Sequence, residues 1–159
     1  MKLIIYISFF GSLLLAGSCI RPKGNMPDLK LMLMDSTTIL NTRDIPTGKP
    51  SLLIFFSPDC EHCQSETRDL LKKMDSLKKV NLYFITIDSL QRMKVFNGYF
   101  GLHKYPNVIV ARDYTYSFAS HFPKVVPPYT VLYDKYKRAR VVMSGEAEAS
   151  KIISLVNQL

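Results

Sequence analysis

Ser51–Glu66, SLLIFFSPDCEHCQSE, is the stretch from which the fold can be read. An unbroken apolar and aromatic run, Leu52 to Phe56, predicts a buried β-strand, and Ser57-Pro58-Asp59 is the kind of cluster that ends one. A helix then opens close to Cys60, and its first turn carries Cys60 and Cys63 separated by Glu61 and His62. A C-x-x-C at a strand-to-helix junction is a redox signature rather than a generic cysteine pair. Position separates the two thiols. Cys60 stands where unpaired backbone N–H groups and the positive end of the helix dipole favour an anion, as a nucleophilic thiolate requires. Cys63 begins a stripe with Thr67, Leu70, Met74 and Leu77 at helical spacing, which points it inward. One exposed sulfur and one protected sulfur can attack a disulfide and then resolve the mixed intermediate.

Outward from this stretch, the chain of 159 residues is long enough for one domain with a real core, and 47% hydrophobic residues argue against disorder. At the start, Leu3 to Ala16 is an apolar run, short of the roughly 20 residues a membrane span needs and suited to a signal-peptide core. Leu15-Ala16-Gly17-Ser18-Cys19 resembles a bacterial lipoprotein lipobox, which would make Cys19 the acylated first residue of the mature chain. Ordinary cleavage near Ser18 or an uncleaved anchor are the alternatives. The expected division is therefore a signal peptide over 1–18, a tether over 19–28 and one folded domain over 29–159. Lipidation of Cys19 also accounts for the odd cysteine.

Within that domain, Leu29 to Met34 and Thr37 to Leu40 predict an N-terminal hairpin, and Gly48-Lys49-Pro50 leads into the central strand. The first helix is expected from Cys60 to about Lys78, a second core strand over Asn81–Asp88, and a helix over Ser89–Phe100 capped by Ser89. Asn107–Ala111 reads as a brief strand and Tyr114–Phe122 as a short helix. Val131–Tyr133 and Arg140–Met143 form a hairpin, and Ser144-Gly145 opens a last amphipathic helix. Phe55, Phe56, Tyr83, Phe84 and Tyr133 are core candidates.

The net charge of +8 suits an anionic membrane surface or acidic partners, although a solvated basic surface is the plainer account. The densest basic run, Lys135 to Arg140, lies between two predicted strands without an aromatic stacking platform, so no nucleic-acid partner is expected. Structural zinc normally takes four Cys or His ligands, and His103 and His121 stand alone; no metal is expected. His62, when protonated, would support the Cys60 thiolate and make the pair more oxidising, while Glu61 pulls the other way. Glu66 lies at i+3 from Cys63 and i+4 from His62. There it is either a partly desolvated carboxylate that accepts the Cys63 proton or a solvent-facing partner of His62.

The run FFSPDCEHCQSE resembles the active-site strand and helix of TlpA-like thiol-disulfide oxidoreductases, over about Pro27 to Leu159. The resemblance implies a thioredoxin-like sandwich: an α/β fold with a central mixed sheet flanked by helices. It also implies anchoring on the outer, periplasm-facing side of a bacterial membrane, and several members reduce apocytochrome c cysteines. Glu66 occupies the family's glutamate position three residues beyond the second cysteine, while Arg68 stands where a proline is common. In Val126-Pro127-Pro128-Tyr129-Thr130-Val131, Pro128 matches the family's cis-proline, which faces the dithiol before the third core strand. Pro127 lacks the N–H usually lent to a substrate peptide, so docking would rest on its carbonyl, and Pro127 is an alternative cis residue. Tyr129 is the aromatic expected to touch substrate.

The expected activity is extracytoplasmic thiol-disulfide exchange in which Cys60 attacks, Cys63 resolves and Glu66 handles the proton; the family likeness favours a reductase, and His62 keeps an oxidase or isomerase role open. No dissociable cofactor is called for, since the Cys60–Cys63 pair itself cycles. Expected partners are thiol- or disulfide-containing proteins, a membrane reached by the lipid anchor, and a membrane electron donor. Two other classes fit the motif less well: a Cu(I)- or other metal-carrying module, since soft thiolates suit Cu(I), and a peroxide-reducing redoxin.

Overall fold

A computed structural model describes residues 24–159; the segment expected to be a signal peptide, the expected lipidation site Cys19 and the first part of the expected tether lie outside the described residues. The central strand is β3 (Ser51–Phe55), every residue of which is buried. It runs parallel to β4 (Asn81–Thr86), itself parallel to β5 (Val108–Arg112), and antiparallel to β6 (Tyr129–Tyr133), which pairs with β7 (Ala139–Ser144). The predicted hairpin, β1 (Lys30–Met32) and β2 (Ile39–Asn41), joins antiparallel at β5. The seven strands take the order β2-β1-β5-β4-β3-β6-β7. This is a thioredoxin-like fold with an N-terminal hairpin.

Strand alternation sends β3 side chains to two cores. Leu52, Ile54 and Phe56 pack with Leu70, Leu77, Met93 and Ile152. These belong to α1 (Glu61–Lys72), α2 (Met74–Leu77), α3 (Leu90–Phe100) and α5 (Ala149–Val156). Leu53 and Phe55 pack on the other face with Leu29, Leu31, Ile45 and Phe118, the last from α4 (Ser117–His121). All five aromatic core candidates are buried.

Four expectations change. The first helix breaks at Lys73, whose φ of −121° and ψ of 18° separate α1 from α2, although Met74 and Leu77 keep their buried place in the stripe. The expected helix over 114–122 shortens to α4 because the buried Asp113 carboxylate accepts from Thr115 Oγ1, Ser117 Oγ and the Phe118 N–H, winding the chain into a turn first. Residues 24–28 do not hang free as a tether: the Met26 N–H bonds to the Lys137 carbonyl and the Ala139 N–H to Gly24, both at 2.9 Å. Finally, α5 starts at Ala149, not at Ser144-Gly145, and the intervening residues serve the site described next.

Candidate active site

Buried β3 delivers Ser57–Asp59 and then the first turn of α1 to one end of the sheet. In the register of β3 with β6, Phe55 faces Tyr129, so the segment before β6 arrives at the same end. The loop after Ser144 arrives there too, because Ser144 faces Tyr129 across β6 and β7.

Cys60 is the N-cap of α1, with extended backbone (φ −78°, ψ 114°), and its sulfur accepts the Cys63 N–H at 3.3 Å. That satisfies one of the helix's orphan donors with a sulfur placed to be stabilised as a thiolate. On its other side the Cys60 thiol donates to the Pro127 carbonyl at 3.7 Å. Both thiols are free; Cys60 is half-buried and Cys63 only 2% exposed. Burial, first, and the Cys60 sulfur, second, push the Cys63 thiol far above the ordinary cysteine range, with the Glu66 charge a smaller cause. Cys63 therefore needs a base before it can act as a nucleophile.

Glu66 faces into the protein, 1% exposed, on the α1 face that carries Cys63, Thr67 and Leu70. One carboxylate oxygen accepts from Thr130 Oγ1 at 2.9 Å and the other from the Ala147 N–H at 3.0 Å. Desolvation pushes its carboxyl up to about 7, more than these two hydrogen bonds pull it down, and the Glu146 charge adds to the rise. Of the two readings open in the sequence, the buried carboxylate is the one the fold adopts. His62 takes a different partner: its Nδ1 lies 2.8 Å from Glu146, and the histidine side chain is 75% exposed. Glu61 is exposed in the first turn.

The peptide bond between Pro127 and Pro128 is cis, so Pro128 is the cis residue and Pro127 supplies the carbonyl beside Cys60. Tyr129 requires a correction. It is 8% exposed and packs 6.2 Å from Phe118 and 5.7 Å from Phe122, centroid to centroid, because alternation along β6 turns it to the hairpin-side core. The same alternation turns Thr130 to Glu66. His121 is exposed and lies against Phe122, apart from these groups.

Thr130, Glu146 and Ala147 carry no signal in the sequence, and Gly145 reads there only as part of the opening of the last helix. Gly145 donates its N–H to the Pro128 carbonyl at 2.9 Å, Glu146 takes His62 and Ala147 takes Glu66. The Ala149 N–H, at the start of α5, is received by Asp69 of α1 at 2.8 Å. One strap thus joins the proline segment, the dithiol turn and the buried acid. Its only local hint is Gly145, whose φ of 83° favours glycine. As metal donors, the dithiol offers two sulfurs, and no group of three or more Cys, His, Asp or Glu converges among the described residues. Arg92 braces the turn from α3 by pairing with Asp59 and, at 3.1 Å, with Asp88.

The sequence matches no protein-family model and no curated protein. Solved structures resemble the fold. A DsbF homologue from Corynebacterium diphtheriae superposes with a TM-score of 0.71 at 21% identity, covering 94% of this chain and 98% of that one. A secreted Mycobacterium tuberculosis disulfide oxidoreductase homologous to E. coli DsbE gives 0.69 at 17% identity, over 83% of this chain and 96% of that one. A thioredoxin-like protein from Porphyromonas gingivalis gives 0.69 at 21% identity, over 84% and 90%. At these identities the likeness establishes the fold.

Proposed function

We propose that this chain is a thiol-disulfide oxidoreductase of the TlpA-like kind, anchored by a lipid at Cys19, facing the periplasm and working as a disulfide reductase. The observation that carries the reading is the placement of the buried Glu66 on the α1 face that holds Cys63, beneath an N-capping Cys60. The thiolate of Cys60 attacks one sulfur of a substrate disulfide; that bond breaks, and the departing substrate sulfur takes a proton. Cys60 is then joined to the substrate by a mixed disulfide. Glu66 accepts the Cys63 proton, and the Cys63 thiolate attacks Cys60 Sγ, breaking its bond to the substrate; the second substrate sulfur leaves as a thiol with the proton that Glu66 returns. The substrate gains two electrons and two protons, and the chain is left with a Cys60–Cys63 disulfide. A membrane dithiol donor restores it by the reverse exchange.

Pro127 and Pro128 form the wall against which the substrate disulfide lies, with the Pro127 carbonyl as its acceptor. The dithiol itself cycles, without a dissociable cofactor. Support for the periplasmic side comes from the signal-peptide-like start, the lipobox-like ending at Cys19, and similarity to a neighbour described as secreted. The test is trapping. In the full chain, Cys63→Ala should accumulate a mixed disulfide on Cys60 with a thiol-containing protein, reversible by reductant. Absence of any trapped species while the wild-type chain turns over disulfides would reject these roles.

A further inference from the structure

The strand register gives the molecule two ends. The dithiol, Pro127 and Glu146 lie beyond Phe55, Tyr129 and Ser144 at one of them. At the other lie the segments that enter β3 and β4 and the turn that leaves β6 at Tyr133. This second end carries Lys49, Lys78, Lys79, Lys135 and Arg138, set against the carboxylates of Asp75 and Asp134. The Lys137 amine, which donates to the Thr42 and Arg43 carbonyls, brings Asp44 and the Arg43–Asp28 pair to the same side. Lys49, Lys79 and Lys135 are exposed and form no salt bridge among the described residues, whereas Lys78 pairs with Asp75. Arg138 and Arg140 share the single carboxylate of Asp134, at 2.8 Å and 3.7 Å. At the tip of the turn Tyr136 is 58% exposed, with the Lys135 amine 5.2 Å and the Arg138 guanidinium 4.9 Å from its ring centre. The dithiol end bears Asp59, Glu61, Asp88 and Glu146, with Arg92 paired to Asp59 and Asp88 and His62 to Glu146.

The chain also enters the fold at the basic end. Gly24 and Met26 are hydrogen-bonded to Ala139 and Lys137. Cys19 is five residues upstream of Gly24, so an anchor there lies within about 18 Å of this turn even with the chain fully extended.

We propose that this tyrosine-tipped basic end docks on anionic phospholipid headgroups and holds the dithiol facing away from the bilayer. The inference rests on the anchored reading above and adds to it the surface and the lipid chemistry. A bilayer's negative potential attracts basic side chains only within about a Debye length, ~8–10 Å, so the charges must be at the anchored end to act. An aromatic ring among them is suited to headgroup depth.

The test uses the full chain added to vesicles of pure phosphatidylcholine or of equal parts phosphatidylcholine and phosphatidylglycerol, with an impermeant amine reagent and mass spectrometry. Modification of Lys49, Lys79 and Lys135 should slow on the anionic vesicles alone, that of Lys94 and Lys124 should not, and salt at about 1 M should abolish the difference. Lys79→Gln and Lys135→Gln should each weaken the preference for anionic vesicles about fivefold, without changing reduction of a soluble disulfide. Equal modification on both vesicle types overturns the proposal. So does protection by soluble polyglutamate with none on vesicles, which would assign the surface to an acidic protein. Retention on pure phosphatidylcholine reports the anchor separately. Retention without lysine protection removes the docking and leaves the anchor; protection without such retention does the reverse.

Discussion

At the scale of single residues, the site depends on one carboxyl group kept out of water. Glu66 combines burial with two donors, Thr130 and Ala147, and titrates near neutrality, where a group that accepts a proton in one step and returns it in another is most useful. Its effect on stability has a definite sign. A carboxyl raised from 4.5 to about 7 favours the folded state at low pH, and that contribution is lost as pH rises through about 7. The shift corresponds to about 3 kcal/mol. Glu66→Gln should therefore gain stability relative to wild type by about 3 kcal/mol between pH about 4 and about 8, measured by urea unfolding of the reduced protein. It should also flatten the rise in turnover near neutral pH, with a loss of about 10² in rate if Glu66 takes the Cys63 proton. A stability difference that does not change with pH would contradict a buried carboxyl whose desolvation outweighs its two hydrogen bonds.

At the scale of elements, the strap between β7 and α5 decides how the dithiol turn is held. Glu146 draws His62 toward the strap and sets a negative charge against whatever support a protonated imidazole gives an anionic Cys60 sulfur. The His62 hydrogen bond, after one from Ser65, holds the Glu146 carboxyl below its usual range. Both side chains are substantially exposed, so the pair is a modest one. Glu146→Gln should raise the reduction potential of the Cys60–Cys63 couple by about 10–30 mV, roughly 0.5–1.4 kcal/mol. In a His62→Ala background the same substitution should have little effect. A double-mutant cycle of potentials against glutathione reads this coupling directly, and equal shifts in both backgrounds would show that Glu146 acts without the histidine.

At the scale of the whole molecule, two cores on either side of one sheet hold these pieces in register. Leu132 is fully buried in the core beneath α1, one residue beyond Val131 and two beyond Thr130 on β6. Leu132→Ala should cost about 3 kcal/mol and lower the denaturation midpoint without changing its slope. At the surface of α3, Val95 is 63% exposed, and Val95→Ala should stay within about 0.5 kcal/mol. Equal costs at the two positions would mean that the sheet does not carry the fold's stability as described.

Much of this arrangement was legible in the chain itself, because it is local. Apolar continuity over Leu52–Phe56, the Ser-Pro-Asp stop and the two-residue spacing of the cysteines are set by neighbours in sequence, and they dictated the strand, the helix start and the inward side of Cys63. Alternation likewise marked the aromatic core. What only the folded chain decided are contacts between segments far apart in sequence: Thr130 and Ala147 on Glu66, Glu146 on His62, Gly145 on the Pro128 carbonyl, and Gly24–Met26 along the far turn. Such pairs leave no periodic trace, since an amide or hydroxyl that receives its partner across the sheet looks in sequence like any other. Tyr129 shows the same divide from the other side. A proline neighbour suggested a surface role, and strand register, which is set by pairing with β3 and β7, turned the ring into the core.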